Sequence, residues 1–415
     1  MDVLSEMKAV YILFLLCSLL QQTVSVMNFP FHGINGGSSE RSSNGNSHKL
    51  LKKVAVIGSG NWGTAVAKRI ALNIEASRKD AGSKQQFQDE VTMWVYEERV
   101  DDRNLSEIIN TDHTNPKYLP NITLPMTVVA EPSLLATCKD ADVLVFVVPH
   151  QFLPGVLQTM RGHVKSSAVG VSLIKGLNVR ESGPELLSEM IKKELGLSEI
   201  AVIMGANVAS EVAQNHFVEA TCASTNLAFA EEIKGLLHCK DFNIEVCSDV
   251  ATVEMCGALK NVIAMAAGFC DGLDQGPSTK AAIIRQGLAE IAAFCKVFAG
   301  DSFQTATLLK SCGVADLVAT CFGGRNRLCS AEFVRRLMAA RDAQGEAALT
   351  KLWTDVERDL LHGQKLQGLG TCDEVHSCLV AKRLAGVGGF PLLEKIHAIA
   401  RLGADPHTLF DFGNA

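Results

Sequence analysis

Lys260 lies inside Val253–Phe269, VEMCGALKNVIAMAAGF, where it is the only cationic side chain in a run of mostly small and apolar residues. Lysine is among the side chains least willing to leave water, so here it either escapes to the surface or serves a site. At helical spacing its neighbours are Cys256, Gly257, Ile263 and Ala264, with Ala267 two turns on, and none is acidic. A helix would hold the ammonium in apolar surroundings and leave its counter-ion to another segment. Asp316, in Gly313–Leu317 (GVADL), is the candidate. Burial lowers a lysine pKa toward neutrality, and such a group can both take and return a proton. Interconverting a secondary alcohol and a ketone by hydride transfer requires that proton exchange. Further polar clusters interrupt apolar or small-residue text: SLIKGL (Ser172–Leu177) with Lys175, ALKN with Asn261, and TCFGGRNR (Thr320–Arg327) with Thr320, Arg325 and Asn326. Gly-Gly-Arg-Asn combines backbone freedom, a forked cation and an amide, a set suited to a phosphate monoester or carboxylate. Taken singly, any of these clusters would serve equally well as a structural ion pair or a helix cap.

A hydride needs a carrier, and Gly58-Ser59-Gly60-Asn61-Trp62-Gly63 offers a place for one. It matches GxGxxG between a β-branched run, Lys53–Gly58, and a helical stretch, AVAKRIALNIEA. The first glycine permits a tight turn and the second lets backbone approach a pyrophosphate. The third lets helix and strand pack, with the helix N-terminus facing the anion. The next strand ends in Tyr96-Glu97-Glu98. An acid there takes the adenosine ribose hydroxyls and repels a 2′-phosphate, which favours NAD over NADP.

The elements that must position these residues divide the chain. Strands are expected at Lys53–Gly58, Val91–Tyr96, Ala141–Pro149, Ala168–Ile174 and Ile200–Gly205, with helices between several of them and a polar loop over Ser77–Glu90. That pattern predicts a doubly wound α/β, Rossmann-type domain over residues 50–248. Beyond it, apolar-periodic segments at 250–270, 279–299, 301–311, 330–342 and 391–402 predict an all-helical domain over 249–415.

The bulk numbers fit this division. The 415 residues suffice for two cores, and 47% hydrophobic with 20% charged residues describes a soluble globular chain. A formal net charge of −6 provides no general attraction to nucleic acid or anionic lipid. Thirteen cysteines are scattered without CxxC or zinc-finger spacing, so free thiols in a reducing compartment are expected, with no metal. Residues 1–26 carry a signal-like apolar core, Ala9–Leu20, too short for a comfortable membrane span. Residues 27–49 read as a Ser/Asn/Gly-rich linker or transit segment. Delivery into a plastid-like stroma would reconcile a leader with free cysteines, and translation beginning at Met27 would remove the leader altogether.

In order, GSGNWG, MWVYEE, VVPHQF, SLIKG, MGANVASEVA, CGALKNVIAMAAGFCDGL, CGVADLVATCFGGRNR and HGQKLQG resemble eukaryotic NAD-dependent glycerol-3-phosphate dehydrogenase over roughly residues 50–410. The resemblance implies interconversion of sn-glycerol 3-phosphate and dihydroxyacetone phosphate. It makes Lys260 the proton donor and acceptor, with Lys175 and Asp316 beside it. Lys175 also matches a lysine that contacts substrate near the nicotinamide. Asn261, Asp316 and Thr320 match residues lining the glycerol and phosphate end, and Arg325 and Asn326 match the phosphate clamp. For NAD the matching positions are Gly58, Ser59, Gly60, Asn61, Trp62, Gly63, Tyr96, Phe152, Lys175, Ala209, Arg325, Lys365 and Gln367. The family also points to a cytosolic homodimer. A non-catalytic NADH-sensing protein is the alternative, and its signature would be loss of Lys260 or Arg325. Acyl-CoA and sugar-acid dehydrogenases would require a His-Glu pair or a different anion site.

Overall fold

Lys52–Ile57 (β1) is buried on both faces: Val54 and Val56 pack to one side of the sheet, Ala55 and Ile57 to the other. Such two-sided burial makes a parallel strand read as a continuous apolar run. In this computed structural model, residues 51–414 are described apart from 81, 83–84, 181–182, 341–344 and 362–364. The expected leader and the Ser/Asn/Gly-rich segment lie outside the described residues. The other strands of the main sheet are β2 (Phe87–Trp94), β3 (Val128–Glu131), β4 (Val143–Phe146), β5 (Val169–Ser172), β6 (Ile200–Met204), β7 (Val218–Ala223) and β8 (Phe242–Cys247). Across the sheet they run 3-2-1-4-5-6-7-8. The first six are parallel, β7 is antiparallel to β6, and β8 is parallel to β7. Order 3-2-1-4-5-6 is the Rossmann arrangement, and its direction switches between β1 and β4.

Helix α1 (Asn61–Lys79) leaves β1 through the glycine loop and covers one face with Ala65, Val66 and Ile70. It runs to Lys79, and β2 begins at Phe87, so the polar loop expected over Ser77–Glu90 is much shorter. Polar side chains at these ends are held in regular structure by pairs such as Arg78 with Asp89, 2.9 Å, and Lys79 with Glu75, 2.7 Å. On the opposite face α2 (Leu187–Leu195) packs through Leu187, Ile191 and Leu195.

The rest is helical. Around α3 (Val250–Gly272) lie α4 (Pro277–Ala299), α5 (Asp316–Phe322), α6 (Arg325–Ala339), α8 (Gln367–Ala381) and α9 (Pro391–His397), while α7 (Glu346–Leu361) packs on α6. Every residue of α3 from Thr252 to Cys270 is buried. A helix apolar all round belongs in a core. By length and hydropathy α3 could cross a membrane, but 94% of its apolar window is inside the protein. Asp249 caps it, accepting from Thr252 N at 3.1 Å. Its second oxygen accepts from Gln304 N and from the Thr307 hydroxyl, each at 2.9 Å. Those bonds pin residues 301–311 as short 3₁₀ turns, Gly300–Ser302 and Thr305–Leu309, where a regular helix was expected. The cysteines among the described residues are free thiols, all buried except the half-buried Cys239 and Cys247.

Candidate active site

The centre of α3 meets the carboxyl end of the sheet at Gly257. A Cβ there would fall 2.7 Å from the sulfur of Met204, the last residue of β6. One turn later Lys260 is 5% exposed. Its ammonium donates to Asp316 Oδ1, at the start of α5, and to Thr320 Oγ1 at 2.9 Å. Asp316 and Thr320 stand four apart and so present to Lys260 from one helical face. Lys175, three residues past β5, donates to the other oxygen of Asp316 at 3.3 Å. One buried carboxylate thus faces two ammoniums. Burial lowers the Lys260 pKa to about 7; Asp316 opposes the shift and Lys175 adds to it. A lysine with a pKa near neutrality is suited to general acid–base chemistry.

A second chain of contacts adjoins the first. Asn326 Nδ2 donates to Asn261 Oδ1 at 2.9 Å, and Asn326 Oδ1 accepts from Gly368 N at 3.0 Å. This ties the residue after Lys260 to the first turns of α6 and α8. Arg325 opens α6 behind Gly324, whose φ of +84° is costly for any side chain, and the arginine is exposed where Asn326 is buried. The other arginine of GGRNR is structural: Arg327 bonds Asp271 at 2.7 Å.

At the sheet's switch point the loop after β1 fits a dinucleotide. A Cβ on Gly63 would lie 2.1 Å from Gly58 O, so helix and strand meet only through glycine there. A Cβ on Gly60 would meet nothing within 4 Å, leaving open the position where backbone must approach a pyrophosphate. Tyr96 and Phe152, 72% and 67% exposed, follow β2 and β4 on this side. The other expected cofactor residues also carry contacts within the protein. Trp62 is half-buried against the core, and the Ser59 carbonyl accepts from Thr64 and Asn115, both at 3.0 Å. Asn61 accepts from Trp62 N at 2.8 Å, and Ala209 is buried at the start of a short helix. Lys365 pairs with Glu357 at 2.8 Å, while Gln367 opens α8 half-buried.

The acids after β2 bond to neighbouring segments. Glu97 accepts from Ser106 N and Oγ, and Glu98 from Lys117 and the Tyr118 hydroxyl. Sequence reasoning passed over Glu254, fully buried on α3. It accepts from Leu187 N and from Ser188 Oγ at 2.6 Å, capping α2, and burial raises its pKa to about 7. An acid inside an otherwise apolar helix was the available signal.

A Rossmann sheet with an open glycine loop, joined to a helical domain that buries a lysine against a carboxylate, is the architecture of a two-domain nicotinamide-dependent dehydrogenase. The family model for the NAD-dependent glycerol-3-phosphate dehydrogenase N-terminus matches residues 53–230, and that for the C-terminus matches 249–411. The chain belongs to the NAD-dependent glycerol-3-phosphate dehydrogenase family. It is 46% identical over 348 residues to the cytoplasmic glycerol-3-phosphate dehydrogenase [NAD(+)] of Bos taurus, covering 84% of this chain and 93% of the relative. Among solved structures it is similar to glycerol-3-phosphate dehydrogenase of Saccharomyces cerevisiae, with TM-score 0.75 and 40% identity, covering 88% of this chain and all of that one. It is also similar to DsGPDH of Dunaliella salina, with TM-score 0.80 and 37% identity over 87% of this chain, and spans 60% of that longer protein.

Proposed function

We propose that the chain interconverts sn-glycerol 3-phosphate and dihydroxyacetone phosphate, using NAD. The observation that carries this reading is Lys260, buried on Asp316 and Thr320 with its pKa near 7. NAD supplies the acceptor for the hydride leaving C2, and NADH the donor in reverse. Neutral Lys260 takes the C2 hydroxyl proton during oxidation, and its ammonium returns that proton during reduction. Asp316 orients Lys260 and holds Lys175 beside the reacting carbon. Asn261 and Thr320 line the glycerol and phosphate end, while Arg325 and Asn326 clamp the phosphate. The glycine loop, Tyr96, Phe152, Ala209, Lys175, Arg325, Lys365 and Gln367 receive the dinucleotide. Residues 50–248 serve the cofactor and 249–415 the substrate. We place the protein in the cytosol as a homodimer, a reading supported by the family resemblance and by the cytoplasmic relative.

The test is NADH consumption with dihydroxyacetone phosphate, run beside NADPH and beside Lys260→Ala. Turnover with NADH, lost in the variant by about 10²–10⁴-fold, is expected. No turnover by the wild type would refute the activity, and an unimpaired variant would refute the role of Lys260.

A further inference from the structure

His150 is assigned nothing by the reading above, yet its surroundings join both halves of the site. It follows β4 at the switch point and begins the short 3₁₀ turn His150–Phe152. Its ring is buried, and Nε2 lies 2.8 Å from Oε1 of Glu374, a residue 224 positions away on α8. Nδ1 of the histidine and Oε2 of the glutamate are also buried, and neither has a partner among the described residues.

Those surroundings are the substrate-side elements. A Cβ at Gly176 would lie 2.5 Å from His150 Nδ1 and 2.6 Å from Cγ, so the imidazole rests on backbone that only glycine allows to come so near. The residue before Gly176 is Lys175, whose ammonium reaches Asp316. On the other side, Glu374 stands two helical turns beyond Gln367, on the same face of α8. The first turn of that helix is anchored by Gly368 N to Asn326 and through it to Asn261.

We propose that His150, latched by Glu374, is a positioning residue for the reaction. It presses on Gly176 to set the reach of Lys175, and Glu374 holds its ring in that position. The inference rests on the functional reading above, because it acts through Lys175. An imidazole Nε2–H donating to Glu374 needs an acceptor at that distance but not a charged one. A glutamine therefore preserves the latch and an alanine abolishes it.

The experiment measures kcat and KM for dihydroxyacetone phosphate, NADH affinity by fluorescence, and the thermal midpoint. The variants are His150→Ala, Glu374→Ala, Glu374→Gln, Lys175→Ala and His150→Ala/Lys175→Ala in the full chain. His150→Ala and Glu374→Ala should lose roughly 10²-fold in kcat, the scale of a displaced reacting group, with a smaller loss of NADH affinity because Lys175 is also placed on the dinucleotide. Glu374→Gln should recover most of that loss. The double variant should be no slower than Lys175→Ala, since both changes disable one device. Multiplying losses, or Glu374→Gln behaving as Glu374→Ala, would overturn the latch. If His150→Ala does not fold, the two Glu374 variants decide the matter alone. A wild type inactive on dihydroxyacetone phosphate refutes the functional reading and the latch together, whereas an active wild type with multiplying losses refutes the latch only.

Discussion

Asp316→Asn keeps the shape of the central carboxylate and removes its charge. Three effects act on the Lys260 ammonium: burial lowers its pKa most, Asp316 raises it and Lys175 lowers it. Only the second is deleted, so the pKa must fall below its value of about 7. At an effective dielectric of about 20, unit charges about 4 Å apart interact by about 4 kcal/mol. At 1.36 kcal/mol per pH unit that corresponds to a change of about 3. The asparagine oxygen still accepts a hydrogen bond, so a drop of about 1–3 is expected. In glycerol 3-phosphate oxidation, kcat/KM declines on the acid side as Lys260 becomes protonated, and this limb should move from near pH 7 to about pH 4–6. Its plateau should also fall, because a weaker base takes the hydroxyl proton less readily. Reduction must fall by the same factor at any one pH and equal cofactor affinity, since the equilibrium constant is unaltered. The assay is NADH absorbance from pH 5 to 9, read in both directions. A limb that stays at pH 7, or moves up, would refute the claim that Lys260 is the titrating group and Asp316 its counter-charge.

Other changes separate cofactor, substrate and scaffold. Arg325→Ala should raise KM for dihydroxyacetone phosphate by about 30-fold, or about 2 kcal/mol, with NADH binding affected less. Equal use of glycerol and its phosphate by the wild type would contradict the clamp. Gly60→Ala places a methyl where nothing lies within 4 Å. Its thermal midpoint should be unchanged while NADH affinity falls about tenfold, as titration of each variant would show. Glu254→Gln tests a buried acid. Its pKa is raised from 4.5 to about 7, so between those values the folded state keeps a proton that the unfolded chain has released. Stability then falls as pH rises through that window, by about 3 kcal/mol in total. Urea midpoints of wild type and variant from pH 4.5 to 8 should converge on this difference in slope; parallel curves would contradict it.

The strands that could be read in advance are those with β-branched runs buried on both faces, such as β1 and β6. Missed were β3, β7 and β8. In VEATCA (β7) small and polar residues replace that signature, and antiparallel pairing with β6 is a property of the partner. Helices α7 and α8 were also unread. The first mixes charge through its apolar stripe, and the second carries two glycines in its first turns. Residues 301–311 show the reverse case, because a local helical pattern lost to hydrogen bonds donated to Asp249, more than fifty residues earlier.

The same distinction runs through the site. By itself the sequence determined that Lys260 would lie among apolar helical neighbours, that no acid on its own helix could meet it, and that a strand-to-helix glycine loop would stand ready for a dinucleotide. These follow from periodicity and chirality, which act within a few residues. Only the tertiary structure decided that Asp316 faces Lys260 and Lys175 at once, that Glu97 and Glu98 are committed to Ser106, Lys117 and Tyr118, and that His150 meets Glu374 across 224 residues. Such pairings depend on how helix faces and strand ends pack together. The charge of each group is then set by the burial that this packing imposes.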